Sequence, residues 1–334
     1  MPVDVGPDTT DRKRFAVNLF SPTTLGELRL TNRLVMAPLT RTRSGQAGVP
    51  GPMVAEHYAQ RASLGLIVSE GTYPSHAGRV THEATTGGHT VVGPSAIAIN
   101  GQTHTYDGKQ PYPVPHALAD SELAGVIEEF VTASRNAIAA GLDGVEIHSA
   151  NGYLLHEFLS PASNQREGLY GGSPANRARF VIEVVTAAAD AIGAGRVGLR
   201  ISPEHNIQDA LETDSADVLA TYGALVDGLA PLGLAYLSVL HAEPTGAFVQ
   251  ELRARFGGPV LLNSGFAQMT TRDEALGLLR EGHAEGVVVG RPAIANPDLA
   301  YRWQEDLPLN NPDATTFYGA GPEGYTDYPA LVRS

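Results

Sequence analysis

The feature that most constrains the fold of this chain is a regular alternation of short apolar runs with segments of helical periodicity. Each run is rich in Val, Leu and Ile and is typical of a strand buried on both faces of a parallel sheet. Seven runs are evident, at 32–37, 65–70, 144–148, 197–201, 236–240, 260–263 and 286–289. Helices are predicted at 52–63, 120–138, 180–192, 218–229 and 272–280. Strand–helix units repeated this often predict an α/β fold, a closed (β/α)8 barrel of the TIM type.

A barrel of this type needs eight strands, and the sequence supplies seven. The gap lies in 75–115, a stretch rich in Gly, Thr, His and Pro that has no clear period. We therefore expect one irregular or missing βα sector near residues 72–118. Either an element is absent, or part of this stretch is recruited to close the sheet. Before the first strand, the alternation over Leu25–Leu30 predicts a small N-terminal hairpin.

The composition limits the classes of partner. A chain of 334 residues can bury a large core, and we expect one barrel domain over 1–334, with 1–18 flexible. The formal net charge of −13 disfavours nucleic acid and anionic membrane surfaces. No apolar run approaches the length of a membrane span and no leader is evident, so a cytoplasmic location is expected. The absence of cysteine excludes disulfides and a cysteine nucleophile, and we assign no metal site.

The run 144–148 leads directly into a cluster of polar side chains, His148, Asn151 and Tyr153. In a barrel of this type, the carboxyl ends of the strands carry the catalytic groups, because the loops there converge on one mouth. His148 and Asn151 could direct two neutral donors at one oxygen atom, while the Tyr153 phenol supplies a proton from the side. A core histidine followed by an ordinary turn would give the same pattern.

Two further features suit a phosphorylated cofactor. The loops after the last two strands, 263–266 and 289–292, each contain a glycine that permits close backbone approach, and Arg291 adds a fork that fits phosphate. Arg200 is a cation within the apolar run 197–201, where an unpaired charge would be costly. Its partner is either an anionic cofactor or a barrel carboxylate such as Glu146.

The sequence around the polar cluster, 144–154, resembles the Old Yellow Enzyme family of FMN-dependent NAD(P)H ene-reductases. Four other stretches agree with that family, at 37–41, 170–177, 290–299 and 316–329. The resemblance covers most of 19–331 but lacks the loop, helix and strand that form the third sector of the family barrel. In the family this strand supplies a glutamine to the flavin. Tyr73, Pro74 and Ser75 stand at the matching place here.

The resemblance implies an FMN site, with NADPH or NADH as the hydride donor. Arg200 would lie against the N1–O2 edge of the flavin and Thr40 against its O4 atom, while the Gly71 backbone approaches the ring. The residues that the resemblance places in contact with FMN are Pro38, Leu39, Thr40, Gly71, His148, Arg200, Ser264, Gly265, Phe266, Val289, Gly290, Arg291 and Phe317.

The reaction implied by the resemblance is reduction of the C=C bond of α,β-unsaturated carbonyl or nitro compounds, by ping-pong hydride transfer through flavin N5. His148 and Asn151 would bind the substrate oxygen, Tyr153 would protonate the α-carbon, and Tyr318 would lie over the substrate. Small electron-poor alkenes are the expected partners, and the protein would be a monomer or a homodimer.

Two other hypotheses remain open. The lost strand could have compromised the barrel, which would leave a flavin-poor, non-catalytic relative of the family. Alternatively, the chain could be a phosphate-binding barrel enzyme without flavin, such as an isomerase. That reaction would need a carboxylate or lysine base at a strand end, and none stands out beside His148.

Overall fold

The structure is a computed structural model, and it describes residues 18–44, 48–74, 90–105 and 108–331, without the side chains of 104, 105 and 108. The strands are β1 (Thr23–Leu25), β2 (Leu28–Leu30), β3 (Leu34–Met36), β4 (Leu66–Ile67), β5 (Val92–Gly93), β6 (Gln102–Thr105), β7 (Gly108–Pro111), β8 (His116–Ala117), β9 (Val145–Ser149), β10 (Val197–Ile201), β11 (Tyr236–Leu240), β12 (Val260–Asn263) and β13 (Gly286–Val289).

Helices alternate with the longer strands, as the sequence predicts. They are α1 (Pro52–Gln60), α2 (Asp120–Ala139), α3 (Leu154–Leu159), α4 (Pro174–Ile192), α5 (Ser215–Leu229), α6 (Ala247–Phe256), α7 (Arg272–Arg280), α8 (Arg291–Ala295) and α9 (Leu299–Gln304). In the described part of the chain, no helix is long and apolar enough to cross a membrane.

Seven parallel strands form one sheet, in the order β4-β3-β13-β12-β11-β10-β9. The first barrel strand, β3, pairs with the last, β13, so the sheet curls back on the start of the chain. The seven predicted strands are therefore confirmed, and β4 and β9 are the two edges of the sheet. These edges flank the sector near 72–118 that the sequence predicts to be irregular or missing.

The described residues of that sector do not join the barrel sheet. β5 pairs with β8 and β6 pairs with β7, each in a separate two-stranded sheet. Recruitment of this stretch into the barrel by strand pairing is thus wrong for 90–105 and 108–118. Residues 75–89 and the N-terminal 1–17, which carry the Ser75 and flexible-terminus expectations, lie outside the described residues.

Two predicted elements are longer than the observed ones. The helix predicted over 52–63 ends at Gln60, and the strand predicted over 65–70 is paired only at Leu66–Ile67. The strand ends early because the Glu70 backbone N–H donates to the Tyr58 hydroxyl at 2.8 Å. The Glu70 carboxylate accepts from the Arg41 backbone N–H at 3.0 Å, so the chain turns toward the mouth of the barrel.

The apolar residues form two clusters, one between the sheet and the helices and one inside the barrel. The hairpin β1–β2 belongs to the inner cluster, because its Leu25 and Leu30 are buried together with Val35, Tyr236 and Leu261 of the barrel strands. The Glu27 backbone N–H donates to the carbonyl of Gly195, just before β10, at 2.8 Å. The hairpin therefore closes the amino-terminal end of the barrel, as the resemblance implies.

A layer of packed side chains lies inside the barrel, between the hairpin β1–β2 and the carboxyl ends of the strands. Glu146, Gly198 and Tyr236 are neighbours in register on β9, β10 and β11. A Cβ atom at Gly198 would lie 2.4 Å from Cζ of Tyr236, so the glycine leaves room for the buried phenol ring. The Tyr236 hydroxyl makes a hydrogen bond with Glu146, whose charge lies close to Arg200. This layer supports the site above it.

We expect Gly198→Ala to lower the free energy of unfolding by about 1–3 kcal/mol, because the added methyl group would overlap the ring of Tyr236. Urea unfolding can be followed by the fluorescence of the single tryptophan, Trp303, which is buried. The matched control is Gly125→Ala in α2, where an added Cβ meets nothing within 4 Å and helix propensity favours alanine by up to about 1 kcal/mol. Equal stability of the two variants would contradict this packing.

Candidate functional site

The centre of the site is a row of polar residues on three adjacent strands. His148, Arg200 and Ser238 are neighbours in register on β9, β10 and β11. Each lies two residues closer to the carboxyl end of its strand than Glu146, Gly198 and Tyr236 do. Arg200 is 3% exposed, and its Nη1 donates to the Ser238 hydroxyl at 3.0 Å. Its Nε has no hydrogen-bond partner within the described part of the chain. A buried cation thus keeps one donor free at the mouth.

Two partners are proposed for the charge of Arg200, namely Glu146 and an anionic cofactor. Burial lowers the pKa of Arg200, while the nearby charge of Glu146 raises it. Burial also raises the pKa of Glu146, against the effects of Arg200 and of the Tyr236 hydrogen bond. The carboxylate therefore compensates part of the buried positive charge but leaves the Arg200 Nε free. This free donor is available to an anionic cofactor.

His148 is a neutral imidazole at neutral pH. Burial lowers the pKa of His148 to about 3, and the nearby charge of Arg200 and the neighbouring His156 ring act in the same direction. A neutral ring carries one N–H and can donate one hydrogen bond without bringing a charge into the site. This state suits the polarisation of a substrate oxygen.

The turn after β9 has an unusual backbone conformation. Asn151 and Gly152 have φ angles of 57° and 76°, in the left-handed region that asparagine and glycine tolerate best. The Asn151 backbone N–H donates to the Ser202 hydroxyl at 2.8 Å. A Cβ atom at Gly152 would lie 2.6 Å from the Ile207 carbonyl oxygen. Only glycine at 152 lets this turn lie against the loop after β10.

A buried hydrogen-bond network holds the turn from below. The Gly152 backbone N–H donates to Nδ1 of His156 at 2.8 Å, so the ring proton is on Nε2, which is 3.2 Å from Glu212 Oε1. The Tyr222 hydroxyl donates to the same oxygen at 2.9 Å. The Glu204 backbone N–H donates to Oε2 at 2.7 Å. Glu212 thus accepts three hydrogen bonds and connects the turn to the loop 203–213.

Tyr153 stands at the start of α3, with its ring edge-on to His148 at a centroid distance of 5.4 Å. Burial raises the pKa of Tyr153, and the neighbouring phenols of Tyr73, Tyr112 and Tyr318 raise it further, while a hydrogen bond with Gln208 lowers it. The phenol is therefore protonated at neutral pH. Of the three neighbours, Tyr318 is 72% exposed and lies at the rim of the mouth.

The two loops that suit a phosphate lie side by side. Arg291 Nη2 donates to the Phe266 carbonyl at 3.0 Å, and Gly265 has a φ angle of 91°. A Cβ atom at Gly290 would lie 3.6 Å from Cδ2 of Leu39, so the loop after β3 meets the loop after β13. Ser264 is buried and shares a hydrogen bond with Thr270, whereas the Phe266 ring is exposed.

Two arginines attach a C-terminal segment to the same mouth. The Phe317 carbonyl accepts from Arg41 Nε at 3.0 Å and from Arg43 Nη1 at 2.8 Å. Arg41 also donates to the Gly324 carbonyl at 2.7 Å. Phe317 is therefore held beside the loop that carries Pro38, Leu39 and Thr40, and Thr40 is exposed there. The backbone of Gly71 lies in the open, since nothing comes within 4 Å of a Cβ built on it.

The structure brings the predicted site residues to one end of the barrel, at the carboxyl ends of its strands. Sequence reasoning did not assign four residues that hold the turn after β9, namely Ser202, Gln208, His156 and Glu212. Ser238 could have been noticed as a polar residue inside the apolar run 236–240. Gln208 and Glu212 lie in a loop without periodicity, so no pattern in the sequence marks them.

These features define a class of protein. A buried cation with a free donor, a neutral imidazole beside it, and paired glycine loops after the last two strands fit a planar, anionic, phosphorylated cofactor. The described residues thus suit FMN at the mouth of a parallel barrel.

The chain belongs to the NADH:flavin oxidoreductase / NADH oxidase family, whose sequence model matches residues 18–89 and 76–310. The match is divided into two ranges that overlap at 76–89, within the sector that the sequence predicts to be irregular or missing. Membership makes the chain an FMN-dependent NAD(P)H oxidoreductase, and the predicted enzyme class and cofactor are confirmed.

Similar sequences are named as an alkene reductase and as 12-oxophytodienoate reductases. A probable flavin mononucleotide-dependent alkene reductase of Leishmania infantum is 38% identical over 362 residues, covering 94% of this chain and 97% of the relative. The rice (Oryza sativa subsp. japonica) 12-oxophytodienoate reductase 1 is 34% identical over 365 residues, covering 95% of this chain and 94% of the relative. Both alignments are longer than the 334 residues of this chain, so the relatives contain residues that it lacks.

Solved structures give the same result. An Old Yellow Enzyme homologue from Zymomonas mobilis matches with a TM-score of 0.87 and 34% identity, covering 94% of this chain and 100% of the other. Morphinone reductase in complex with tetrahydroNAD matches with a TM-score of 0.85 and 35% identity, covering 94% and 98%. The resemblance to the Old Yellow Enzyme family and the barrel fold are therefore confirmed.

We expect Glu212→Ala to lower the free energy of unfolding by about 3 kcal/mol or more, because it leaves three buried donors without an acceptor. The matched variant Tyr222→Phe removes one donor while Glu212 keeps two others, so the expected loss is about 1 kcal/mol. Urea unfolding of both variants measures the difference. Similar losses for the two variants would show that Glu212 does not organise this turn.

Proposed function

We propose that this enzyme reduces the C=C bond of α,β-unsaturated carbonyl or nitro compounds with NAD(P)H, in a ping-pong reaction. One observation carries the proposal: a neutral imidazole donor, His148, and a protonated phenol, Tyr153, face each other at the mouth of the barrel with ring centroids 5.4 Å apart. This pair can polarise a substrate oxygen and supply a proton at the same place.

FMN would be held at the mouth by residues from six strand ends and the C-terminal segment. When bound there, FMN would supply the chemistry of hydride transfer from NAD(P)H to the β-carbon of the alkene through its N5 atom. Arg200 would donate its free Nε to the pyrimidine edge, and Arg291 and the Gly265 and Gly290 loops would hold the phosphate. The residues that we propose for cofactor contact are Pro38, Leu39, Thr40, Gly71, His148, Arg200, Ser264, Gly265, Phe266, Val289, Gly290, Arg291 and Phe317.

His148 and Asn151 would bind the carbonyl or nitro oxygen of the substrate. The oxygen gains negative charge as the β-carbon accepts hydride, and donors that are already in place stabilise this charge without reorganisation. The left-handed turn at Asn151, which the Ser202 hydroxyl fixes, would direct the side-chain amide toward the mouth. Tyr318, at the exposed rim, would lie over the substrate.

Tyr153 would give its phenol proton to the α-carbon. Burial and the neighbouring phenols keep the pKa of Tyr153 raised, so the proton is present over the neutral range. Because the alkene and the NAD(P)H nicotinamide would both approach through this one mouth, they would bind in turn, which gives ping-pong kinetics.

Several finer points complete the proposal. The substrates would be small electron-poor alkenes, and neither nucleic acid nor membrane would be a partner. We further propose a single domain over 1–334, a cytoplasmic location, and a monomer or homodimer. Both NADPH and NADH are candidate hydride donors.

A flavin-poor, non-catalytic relative is the second candidate. Its support is the absence of a strand between β4 and β9 among the residues that the structure describes. In the family this strand supplies a glutamine to the flavin, and Tyr73 and Pro74 stand near its place. Loss of that contact would weaken FMN binding but would not affect Arg200 or the phosphate loops.

The visible absorption spectrum of freshly purified protein tests the proposal. We expect flavin bands that bleach with NADPH under anaerobic conditions and return on addition of 2-cyclohexenone. A colourless protein that takes up no added FMN would favour the non-catalytic relative. Bands that bleach but do not return with an enone or a nitroalkene would contradict alkene reduction.

We expect Arg200→Gln to weaken FMN binding about tenfold or more, because a charge-assisted hydrogen bond at a buried site is lost. Fluorescence titration of the apoprotein with FMN measures the dissociation constant. Arg280→Gln, at an exposed position in α7, is the matched control and should bind FMN as the parent does. Unchanged affinity in Arg200→Gln would assign the Arg200 charge to Glu146 instead.

A further inference from the structure

The loop after β10 is under backbone strain. Four non-glycine residues in it have positive φ angles: Glu204 at 58°, Asn206 at 49°, Gln208 at 54° and Asp209 at 56°. Each such residue costs about 1 kcal/mol or more, and strain of this kind persists only where surrounding contacts enforce it. Four strained residues within six positions, next to the turn after β9, indicate that this loop has a functional role.

Two hydrogen bonds, accepted by the side chains of Asn206 and Asp209, hold the loop in this strained conformation. The Glu212 backbone N–H donates to Asn206 Oδ1 at 2.6 Å, which closes the loop on itself. The Asn100 backbone N–H donates to Asp209 Oδ2 at 2.5 Å, which ties the loop to the segment before β6. Asn206 and Asp209 are thus both held by hydrogen bonds, and Gln208 lies between them in the sequence.

Gln208 is placed directly against the turn after β9. A Cβ atom on Gly152 would lie 2.6 Å from Cβ of Gln208, so the two residues are in close contact next to Tyr153. The Gln208 side chain makes a hydrogen bond with Tyr153. Its Oε1 is buried and has no partner among the described residues, so the group that it offers to the phenol is the Nε2 amide.

We propose that Gln208 is the positioning residue of the proton donor, in that its Nε2–H donates to the Tyr153 oxygen and so directs the phenol proton toward the substrate. The inference rests on the proposed alkene reduction. In the proton-transfer step, the Tyr153 O–H bond breaks and a C–H bond forms at the α-carbon, using the electron pair of the substrate enolate. The electron pair of the O–H bond stays on the phenolate, which the Gln208 amide stabilises until solvent returns a proton.

The direction of the amide decides the effect. If Nε2–H donates, the phenol keeps its proton free and becomes a stronger acid, because the hydrogen bond favours the phenolate. If Oε1 accepted instead, it would withdraw the phenol proton from the substrate and weaken the acid. Among the residues that the structure describes, the other titratable groups that face Tyr153 are the phenols of Tyr73, Tyr112 and Tyr318 and the imidazole of His148.

Gln208→Met tests the proposal, since it keeps the length of the side chain and removes the donor. In stopped-flow experiments we expect the reoxidation of the enzyme by 2-cyclohexenone to slow about tenfold, with reduction by NADPH unchanged. The rate of the alkene step falls at alkaline pH when the phenol loses its proton. Because the lost hydrogen bond favoured the phenolate, this alkaline limb should move to higher pH.

Two further variants isolate the effect. Gln304→Met makes the same substitution at an exposed position and should behave as the parent does. Gln208→Glu replaces the donor with a carboxylate, whose negative charge beside the phenolate should move the alkaline limb upward even if Gln208→Met folds poorly. Thermal unfolding of each variant reports on folding.

A double-mutant cycle with Tyr153→Phe gives the decisive readout. If Gln208 acts through Tyr153, the substitution Gln208→Met should have no further effect on the residual alkene step in the Tyr153→Phe background. An equal slowing in both backgrounds, slowing of both half-reactions, or an alkaline limb that does not move would overturn the proposal. Failure of the parent enzyme to reduce any alkene would instead sink the proposed function.

Discussion

The site depends on the burial of one positive charge. Arg200 lies inside the barrel at 3% exposure, where an unpaired guanidinium would be strongly unfavourable. Ser238 and the Glu146 charge compensate it in part, and Glu146 is in turn held by the Tyr236 hydroxyl, which has room only because residue 198 is glycine. The same charge helps to keep His148 neutral. The free donor at the mouth, the neutral state of His148 and the arrangement of Glu146 and Tyr236 thus all depend on one desolvated cation.

Much of the fold follows from periodicity, and part of the site does not. Buried parallel strands are continuous apolar runs in the sequence, so all seven strands could be predicted. Arg200 could be singled out as well, because it is a charged residue inside one of these apolar runs. Gln208 and Glu212 act through the tertiary position of an aperiodic loop, which no local pattern encodes. The predicted strand over 65–70 was too long because the hydrogen bond between Glu70 and Tyr58, residues of different elements, ends it.

The barrel tolerates an interrupted sheet because most of its packing lies elsewhere. The inner cluster takes residues from β3, β11, β12 and β13, and the pairing of β3 with β13 joins the start of the chain to these strands. The site residues on β9, β10 and β11 form a continuous paired block. One continuous run of seven paired strands therefore carries both the inner cluster and the site residues, although His148 lies on β9, which borders the gap.

The C-terminal segment adds a constraint on how the site is completed. Arg41 and Arg43, beside the first barrel strand, donate to the carbonyls of Phe317 and Gly324, and the Tyr325 ring stacks on His57 at 3.9 Å. The mouth is thus built from residues nearly the whole chain length apart. During synthesis on the ribosome, the segment that finishes the rim emerges after every strand of the barrel sheet. Assembly of a working mouth is therefore among the last events in the maturation of this protein.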